Sequence, residues 1–441
     1  MFNYSREMSR RFEQKRILNL PDVFSFGAGF LCFAYLNMGG NVYLAEIFLL
    51  TMLPYLLYTR GKFLRFGPAR LIIILSLGWF VNQVITDLYR GTSPSDIVKG
   101  WALIAVFITN FLGLYLLVYS NPRRVALGLF GYSIGLILQV VLQPNGNMLV
   151  DAWKFGVGGP ITILLCVSGV FLYHNNPRKM LLWSIVLILI SVYSFYVRSR
   201  SLGGSTLLTV AVMWFRYTPI GRRLARRIDT PVNVALGGLL LLFAAWGVFQ
   251  VYGYAAGQGY LGETARNMYF AQAFGDYGIL LGGRREWLPA VHAILDSPFI
   301  GFGSYARNTD YGQFLYDLNS LGYVVNNNQI DAYLISRNTI PTHSHLLQGW
   351  VWAGIIGGIF WIYILTLAMR SLVTAFRYPN SFFMVTVFLS FSAMWAILFS
   401  PLSNIGRLQW AFILTTFLYT LSRNPESTVD DRDAYSFRPV N

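Results

Sequence analysis

Twelve apolar stretches, each close to the length that crosses a bilayer, leave this chain of 441 residues few ways to fold. They run roughly over 23–40, 42–59, 71–89, 101–120, 125–143, 158–174, 180–197, 203–218, 231–252, 346–369, 381–400 and 408–422. A helix crosses the hydrocarbon with about 17 to 25 such residues. Only 12% of the chain is charged against 55% hydrophobic, too little charge to cover a soluble surface of this size. Aromatics at 17% suit a chain whose Trp and Tyr line two membrane interfaces. The expectation is an all-α polytopic membrane protein with about twelve transmembrane helices.

The basic residues support that reading and orient it. Of the 34 Lys and Arg, 23 fall in one set of alternating connections: Arg6 to Arg16, Arg60 to Arg70, Arg123 and Arg124, Arg178 and Lys179, Arg216 to Arg227, Arg370 and Arg377, and Arg423 to Arg438. The opposite set holds 11. Cytoplasmic loops carry the excess, so both termini are expected in the cytoplasm. The net charge of +15 would suit nucleic acid only if it gathered on one soluble face; here it is dispersed between apolar runs, so no nucleic-acid partner is expected. The first apolar run follows a basic segment with no small-residue cleavage site, so no cleavable signal peptide is expected. Cys32 and Cys166 sit far apart inside apolar runs and read as small apolar helix residues.

Four regions follow: helices over 1–252, a long outer segment over 253–345, helices over 346–422 and a polar, disordered tail over 423–441. Seven of the eleven outer basic residues lie at Arg198 and Arg200 or in the long segment. Long extracytoplasmic segments escape the charge rule and carry charge for other reasons. A short amphipathic helix is expected from Trp287 to Leu295, ended by Pro298, Gly301 and Gly303, within a partly helical cap over the membrane domain. No internal repeat is visible.

Three places hold the residues suited to chemistry. Nine residues separate His343-Ser344 from Gly354 and two more separate Gly354 from Gly357, where the long segment meets the apolar run from Leu346 to Met369. A neutral imidazole titrates near physiological pH and accepts a proton from a hydroxyl. Taken alone it suits an interfacial anchor better. Gly354, Gly357 and Gly358 offer a face that another backbone can approach closely. His345, two residues on, is a second candidate; His292 and His174 fit no motif. Tyr196-Val197-Arg198-Ser199-Arg200-Ser201 joins two apolar runs on the expected outer side. Arginine at that depth pairs with an anion such as a diphosphate or snorkels to headgroups. Gly283-Arg284-Arg285-Glu286-Trp287 precedes Pro298-Phe299-Ile300-Gly301-Phe302-Gly303. By itself that segment reads as a solvated turn above a packed Trp.

In this order the motifs resemble the O-antigen ligase family, which also covers related O-antigen polymerases. The likeness spans the second half of the chain, from the Ser-Arg pair to Gly358. It implies a glycosyltransferase with an undecaprenyl-diphosphate-linked glycan donor. The acceptor is a sugar of lipid A–core or, in a polymerase, a second lipid-linked unit. His343 is implied as the base that deprotonates the acceptor hydroxyl. The family's Ser-Arg pattern matches Ser199-Arg200-Ser201 best, which makes Arg200 the implied diphosphate contact and Arg198 a weaker one. Of the other pair, Arg284 follows Gly283 and is preferred. Trp287 stands three residues after Arg284 where many relatives have four, so Arg285 stays open. The implied reaction is inverting and needs neither metal nor nucleotide.

Other chemistries find less in the sequence. There is no Walker loop for ATP. Asp431-Arg432-Asp433 mimics a metal-binding pair but lies in the expected cytoplasmic tail, and no metal or other cofactor is expected. No Ser or Cys has a nucleophile's setting. A transporter or lipid flippase would place its functional charges inside the membrane and keep its outer loops short.

Overall fold

The computed structural model describes residues 18–119, 121–172, 177–227, 246–247, 250–273, 286–320 and 338–422. These are overwhelmingly helical. The labelled helices are α1 Leu20–Phe30, α2 Leu44–Arg60, α3 Gly67–Arg90, α4 Pro94–Val118, α5 Pro122–Leu142, α6 Gly158–Leu172, α7 Pro177–Tyr196, α8 Arg200–Tyr217, α9 Pro219–Arg227, α10 Glu263–Ala273, α11 Trp287–Asp296, α12 Thr309–Ser320, α13 His345–Arg377, α14 Phe383–Phe399 and α15 Asn404–Leu421.

Local chemistry sets many of the boundaries. The Ser93 hydroxyl accepts from the Asp96 N–H, Pro94 opens α4, and Asp96 adds negative charge to its first turn. Asn121 and Pro122 start α5 in the same way. Gly91 ends α3 in the left-handed region at φ 61°, its N–H closing on Asp87.

Among the described residues, five helices are long and apolar enough to cross a membrane: α3, α4, α5, Trp153–Phe171 and α13. Three shorter apolar helices, Leu20–Phe33, Leu181–Tyr196 and Phe383–Phe399, accompany them. On α3, Leu71, Ile74, Leu77, Val81, Ile85 and Leu88 are all exposed and recur every three or four residues. That is one continuous apolar face turned away from the protein, which water disfavours and lipid accepts. The opposite side of α3 is the interior. There Trp79 stacks on Phe360 with ring centroids 5.0 Å apart and meets Trp361 edge-on at 5.8 Å. Aromatic pairs of this kind contribute about 0.5–1.5 kcal/mol beyond their burial.

Two apolar runs fold otherwise than expected. The run 23–40 is helical only to Phe33, after which β1 Tyr35–Asn37 pairs antiparallel with β2 Asn41–Tyr43. Gly39, at φ 76°, makes the turn. The Gln143 amide ties both the N–H and the carbonyl of Tyr35, fixing this hairpin to the end of α5.

The run 346–369 is not one straight helix either. Inside α13, Ala353 and Gly354 leave helical geometry, with Gly354 at φ 60° and ψ −157°. The flanking arms, 345–352 and 355–377, fold back face to face. A Cβ on Gly357 would collide with the Gly349 carbonyl, one on Gly358 would stand 2.6 Å from the Trp350 ring, and the His345 and Trp361 rings lie 4.9 Å apart. The close approach expected at Gly357 and Gly358 is therefore made within α13 itself, whereas at Gly354 it is made by the backbone of Phe299 and Ile300. Gly354 does not lie on a helix face but forms the bend.

The segment 253–345 contains α10, α11 and α12 among its described residues, with α11 covering the expected 287–295. Most of the expected span 231–252, and the whole tail 423–441, lie outside the described residues.

Candidate functional site

One end of the bundle gathers most of the sequence candidates. Tyr217, at the far end of α8, meets Phe383 at the start of α14 with rings 6.5 Å apart, so the two helices run antiparallel. Arg200 and Phe399 therefore share the opposite end. Ser344 joins them there, because its hydroxyl donates to the Ile397 carbonyl at 2.8 Å.

Ser344 also caps α13. Its Oγ accepts from the Leu347 N–H at 3.1 Å, and the residue is fully buried. The two bonds lock the backbone beside His343, whose own side chain is half-buried. The preceding strand is held as well. Ile340 N–H donates to the Ala306 carbonyl at 2.8 Å, and Thr339 bridges Arg307. His343 thus leaves a fixed β-bridge on one side and enters a fixed helix cap on the other.

His345 faces elsewhere. Its ring is buried between Trp361 and Trp410, and Nδ1 bonds the Ser400 carbonyl. Gln348, one turn on, accepts from the Leu402 N–H at 2.9 Å. The first arm of α13 is thereby tied to the turn between α14 and α15.

The bend of α13 receives the Pro298–Gly303 motif. Phe302 N–H donates to the Val351 carbonyl at 2.7 Å and Gly303 N–H to Trp352 at 3.0 Å, while the Asn82 amide takes the Ala353 carbonyl. These are carbonyls that a helix break leaves without intrahelical partners. Trp350 Nε1 returns a bond to the Pro298 carbonyl at 2.9 Å. Gly301 and Gly303, at φ 86° and 88°, need the left-handed region, and both sit where a Cβ would strike a neighbour.

Three residues of α3 hold this segment from behind. Thr86 Oγ1 donates to the Ile300 carbonyl and Arg90 Nε to that of Gly301. Asp87, fully buried, accepts from Ser304 N–H at 2.6 Å, Ser304 Oγ at 2.7 Å and Trp101 Nε1 at 2.8 Å. Sequence reasoning missed this clamp. A signal was present: Asn82, Thr86, Asp87 and Arg90 are polar positions at helical spacing in an otherwise apolar run.

The arginines are less convergent. Arg200 opens α8, with its guanidinium carbon 5.4 Å from the centre of the Tyr252 ring. Arg198 is exposed and held at φ 63°, an uncommon backbone state for a residue with a side chain. Arg284 and Arg285 lie outside the described residues. The residue that follows Glu286 is anchored: Trp287 Nε1 donates to the Leu398 carbonyl at 3.1 Å, and its ring stacks on Phe399.

Two further charged pairs frame this end. Arg307 Nε stands 2.7 Å from Asp96, whose hydrogen bond and charge raise the guanidinium pKa above its ordinary value. Tyr305 is also at positive φ, 56°. Burial and the nearby Asp96 push its phenol pKa up, while Arg407 pulls the other way. Arg407 itself is buried and grips Glu46 through two bonds of 3.1 and 2.9 Å, with a third to the Asn41 carbonyl. In the sequence Arg407 is one of the eleven basic residues of the outer set, with nothing local to mark it as paired. Among the described residues, no three His, Cys, Asp or Glu side chains gather as a metal site would require.

The arrangement can hold an imidazole at a fixed entry to a re-entrant helix, with Arg200 at the same end of the bundle. Comparison with protein-family models, curated proteins and solved structures found no match for this chain.

Proposed function

We propose that this chain is a membrane glycosyltransferase of the O-antigen ligase type. It works at the periplasmic face of a bacterial inner membrane, with about twelve spans and both termini in the cytoplasm. The donor is a glycan on undecaprenyl diphosphate and the acceptor a sugar hydroxyl of lipid A–core. One observation carries the reading. The two motifs that underlie the resemblance, His343-Ser344 to Gly357 and Pro298 to Gly303, are far apart in sequence yet fold into a single bonded unit.

In this reading the acceptor oxygen attacks the anomeric carbon from the face opposite the diphosphate. Its proton passes to the His343 ring. The bond from the anomeric carbon to the phosphate oxygen breaks, its electron pair leaves with the diphosphate, and the configuration inverts. Arg200 and Arg284, with Arg285 as the alternative to Arg284, offset the charge growing on that leaving group; each such contact lowers the barrier by about 3–4 kcal/mol. Guanidinium suits the task because its fork matches phosphate oxygens. The donor carries its own activation energy, so no nucleotide is consumed.

The test uses the purified full-length protein, lipid-linked donor and lipid A–core acceptor. His343→Ala should slow transfer by about 100-fold to 10,000-fold while donor binding persists. Near-normal turnover would remove His343 as the base. Arg200→Ala should cripple transfer, with poor rescue by Lys. If Arg285→Ala is inactive and Arg284→Ala is active, the diphosphate contact moves by one residue. In cells, loss of the protein should leave intact lipid-linked polymer beside uncapped core. Single repeat units on the core would identify a polymerase instead.

A further inference from the structure

The end of the bundle opposite His343 carries a second feature of different chemistry. Between Ala152 and Ile228 the chain has ten Lys and Arg and no Asp or Glu. Four of those arginines, Arg222, Arg223, Arg226 and Arg227, sit on α9.

α9 does not continue α8. Thr218 Oγ1 donates to the Phe215 carbonyl and accepts from the Gly221 N–H at 3.0 Å, which turns the chain. Pro219 opens α9, and Gly221 packs so closely on Phe215 that a Cβ would collide with its carbonyl. The short helix therefore crosses the end of α8 at a fixed, sharp turn. Gly221 and Ala225, four residues apart, are buried, and Leu224 is half-buried. Ile220 is 68% exposed, and the four arginines are exposed with it.

Arg216, the nearest basic residue on α8, is committed elsewhere. Its guanidinium bonds the Phe376 and Arg377 carbonyls and closes the C-terminus of α13. Among the described residues α9 packs chiefly on α8 and α13, and neither helix contains an acidic residue. An exposed cationic face beside an exposed Ile, at the end of helices that cross a membrane, lies at headgroup depth. Anionic headgroups complement it in charge, and the Ile reaches the acyl boundary.

We propose that α9 is a strap on the membrane surface, on the side opposite His343, that binds the phosphate headgroups of anionic phospholipids. The arginines supply charge and forked donors, and Gly221 and Ala225 let the helix lie flat against the bundle. This surface is separate from the transfer site and does not depend on its assignment.

The experiment takes the full-length protein in neutral detergent and titrates phosphatidylglycerol or phosphatidylcholine as mixed micelles, following the thermal midpoint and bound lipid by native mass spectrometry. Phosphatidylglycerol should raise the midpoint, phosphatidylcholine should not, and added NaCl should erase the difference. The variant R222Q/R223Q/R226Q should bind phosphatidylglycerol about 100-fold more weakly, from roughly 1 kcal/mol per arginine at the surface. The corresponding triple Lys variant should keep most of the effect, which separates lost charge from lost folding. Substituting Lys62 and Arg65 by Gln should change nothing. An unaltered phosphatidylglycerol response in the triple Gln variant would overturn the proposal. So would an equal midpoint rise with inorganic phosphate or RNA, or equal loss of binding in the Lys variant.

Discussion

Gly301 and Gly354 meet backbone to backbone: a Cβ on Gly301 would stand 2.6 Å from the Gly354 nitrogen, and one on Gly354 would collide with the Phe299 carbonyl. Two segments more than fifty residues apart therefore share one point of contact that admits no side chain. The first arm of α13 begins just after His343 and ends at Gly354.

Substituting Gly354 by Ala should accordingly damage the protein on two counts. The backbone angles, φ 60° and ψ −157°, belong to a region reserved for Gly and cost about 1–3 kcal/mol for other residues. The collision with Phe299 adds to that. Gly27→Ala is the control, since nothing lies within 4 Å of a Cβ there and its backbone is helical. Thermal unfolding in detergent should show a clear loss for Gly354→Ala and no loss for Gly27→Ala. Equal midpoints would mean that the bend at Gly354 is not part of the fold.

Removing the Asp87 carboxylate should free the Pro298–Ser304 segment. Asp87→Ala leaves the Ser304 N–H and Trp101 Nε1 without their acceptor, at about 1–3 kcal/mol for each buried donor. Ser304→Ala, which deletes only a hydroxyl, should cost less. Limited proteolysis should cut Asp87→Ala within 286–320 well before the wild type. Indistinguishable cleavage would show that the clamp does not hold the segment.

The Glu46–Arg407 pair offers a double-mutant test. Breaking a buried pair from one side leaves an uncompensated charge and costs about 3–5 kcal/mol. Arg407→Met and Glu46→Leu should each destabilise strongly, and together should cost much less than their sum. Additive losses would mean that the two charges do not depend on each other.

Orientation is open to direct labelling. Cysteines introduced at Asn267 and Asn308 should react with an impermeant thiol reagent in intact spheroplasts, and one at Ser427 only after lysis. Cys32 and Cys166 are buried and give little background. Labelling of both loop positions only after lysis would invert the topology.

How far the fold was legible depended on the range of the interactions. The start of α4 is written locally in Ser93, Pro94 and Asp96, and α11 in its amphipathic run from Trp287. Hydropathy averaged over a run cannot see that Gly39 turns 35–43 into a β-hairpin, because Tyr, Leu and Val suit strand and membrane helix alike. Gly354 and Gly357 stood out as points of close approach. That Gly357 would meet the neighbouring arm and Gly354 the backbone of Phe299 depends on contacts remote in sequence, with Asn82 on the Ala353 carbonyl. Arg407 was obscured because a basic residue near a span reads first as a topology signal, and Asp87 and Glu46 because pairing is a property of the fold. His343 and His345 looked alike as titratable rings; the two-residue offset sends the second between two tryptophans.

The order in which the chain is made matches the order in which the bend can be completed. Asn82, Thr86, Asp87 and Arg90 emerge from the ribosome first, the Pro298–Ser304 segment next, and α13 last. When Val351, Trp352 and Ala353 are made, the residues that donate to their carbonyls have already been synthesised. A circular permutation that put α13 ahead of residues 298–304 would keep every native contact. Those three carbonyls would then be made before their donors, so the yield of folded protein should suffer where equilibrium stability does not.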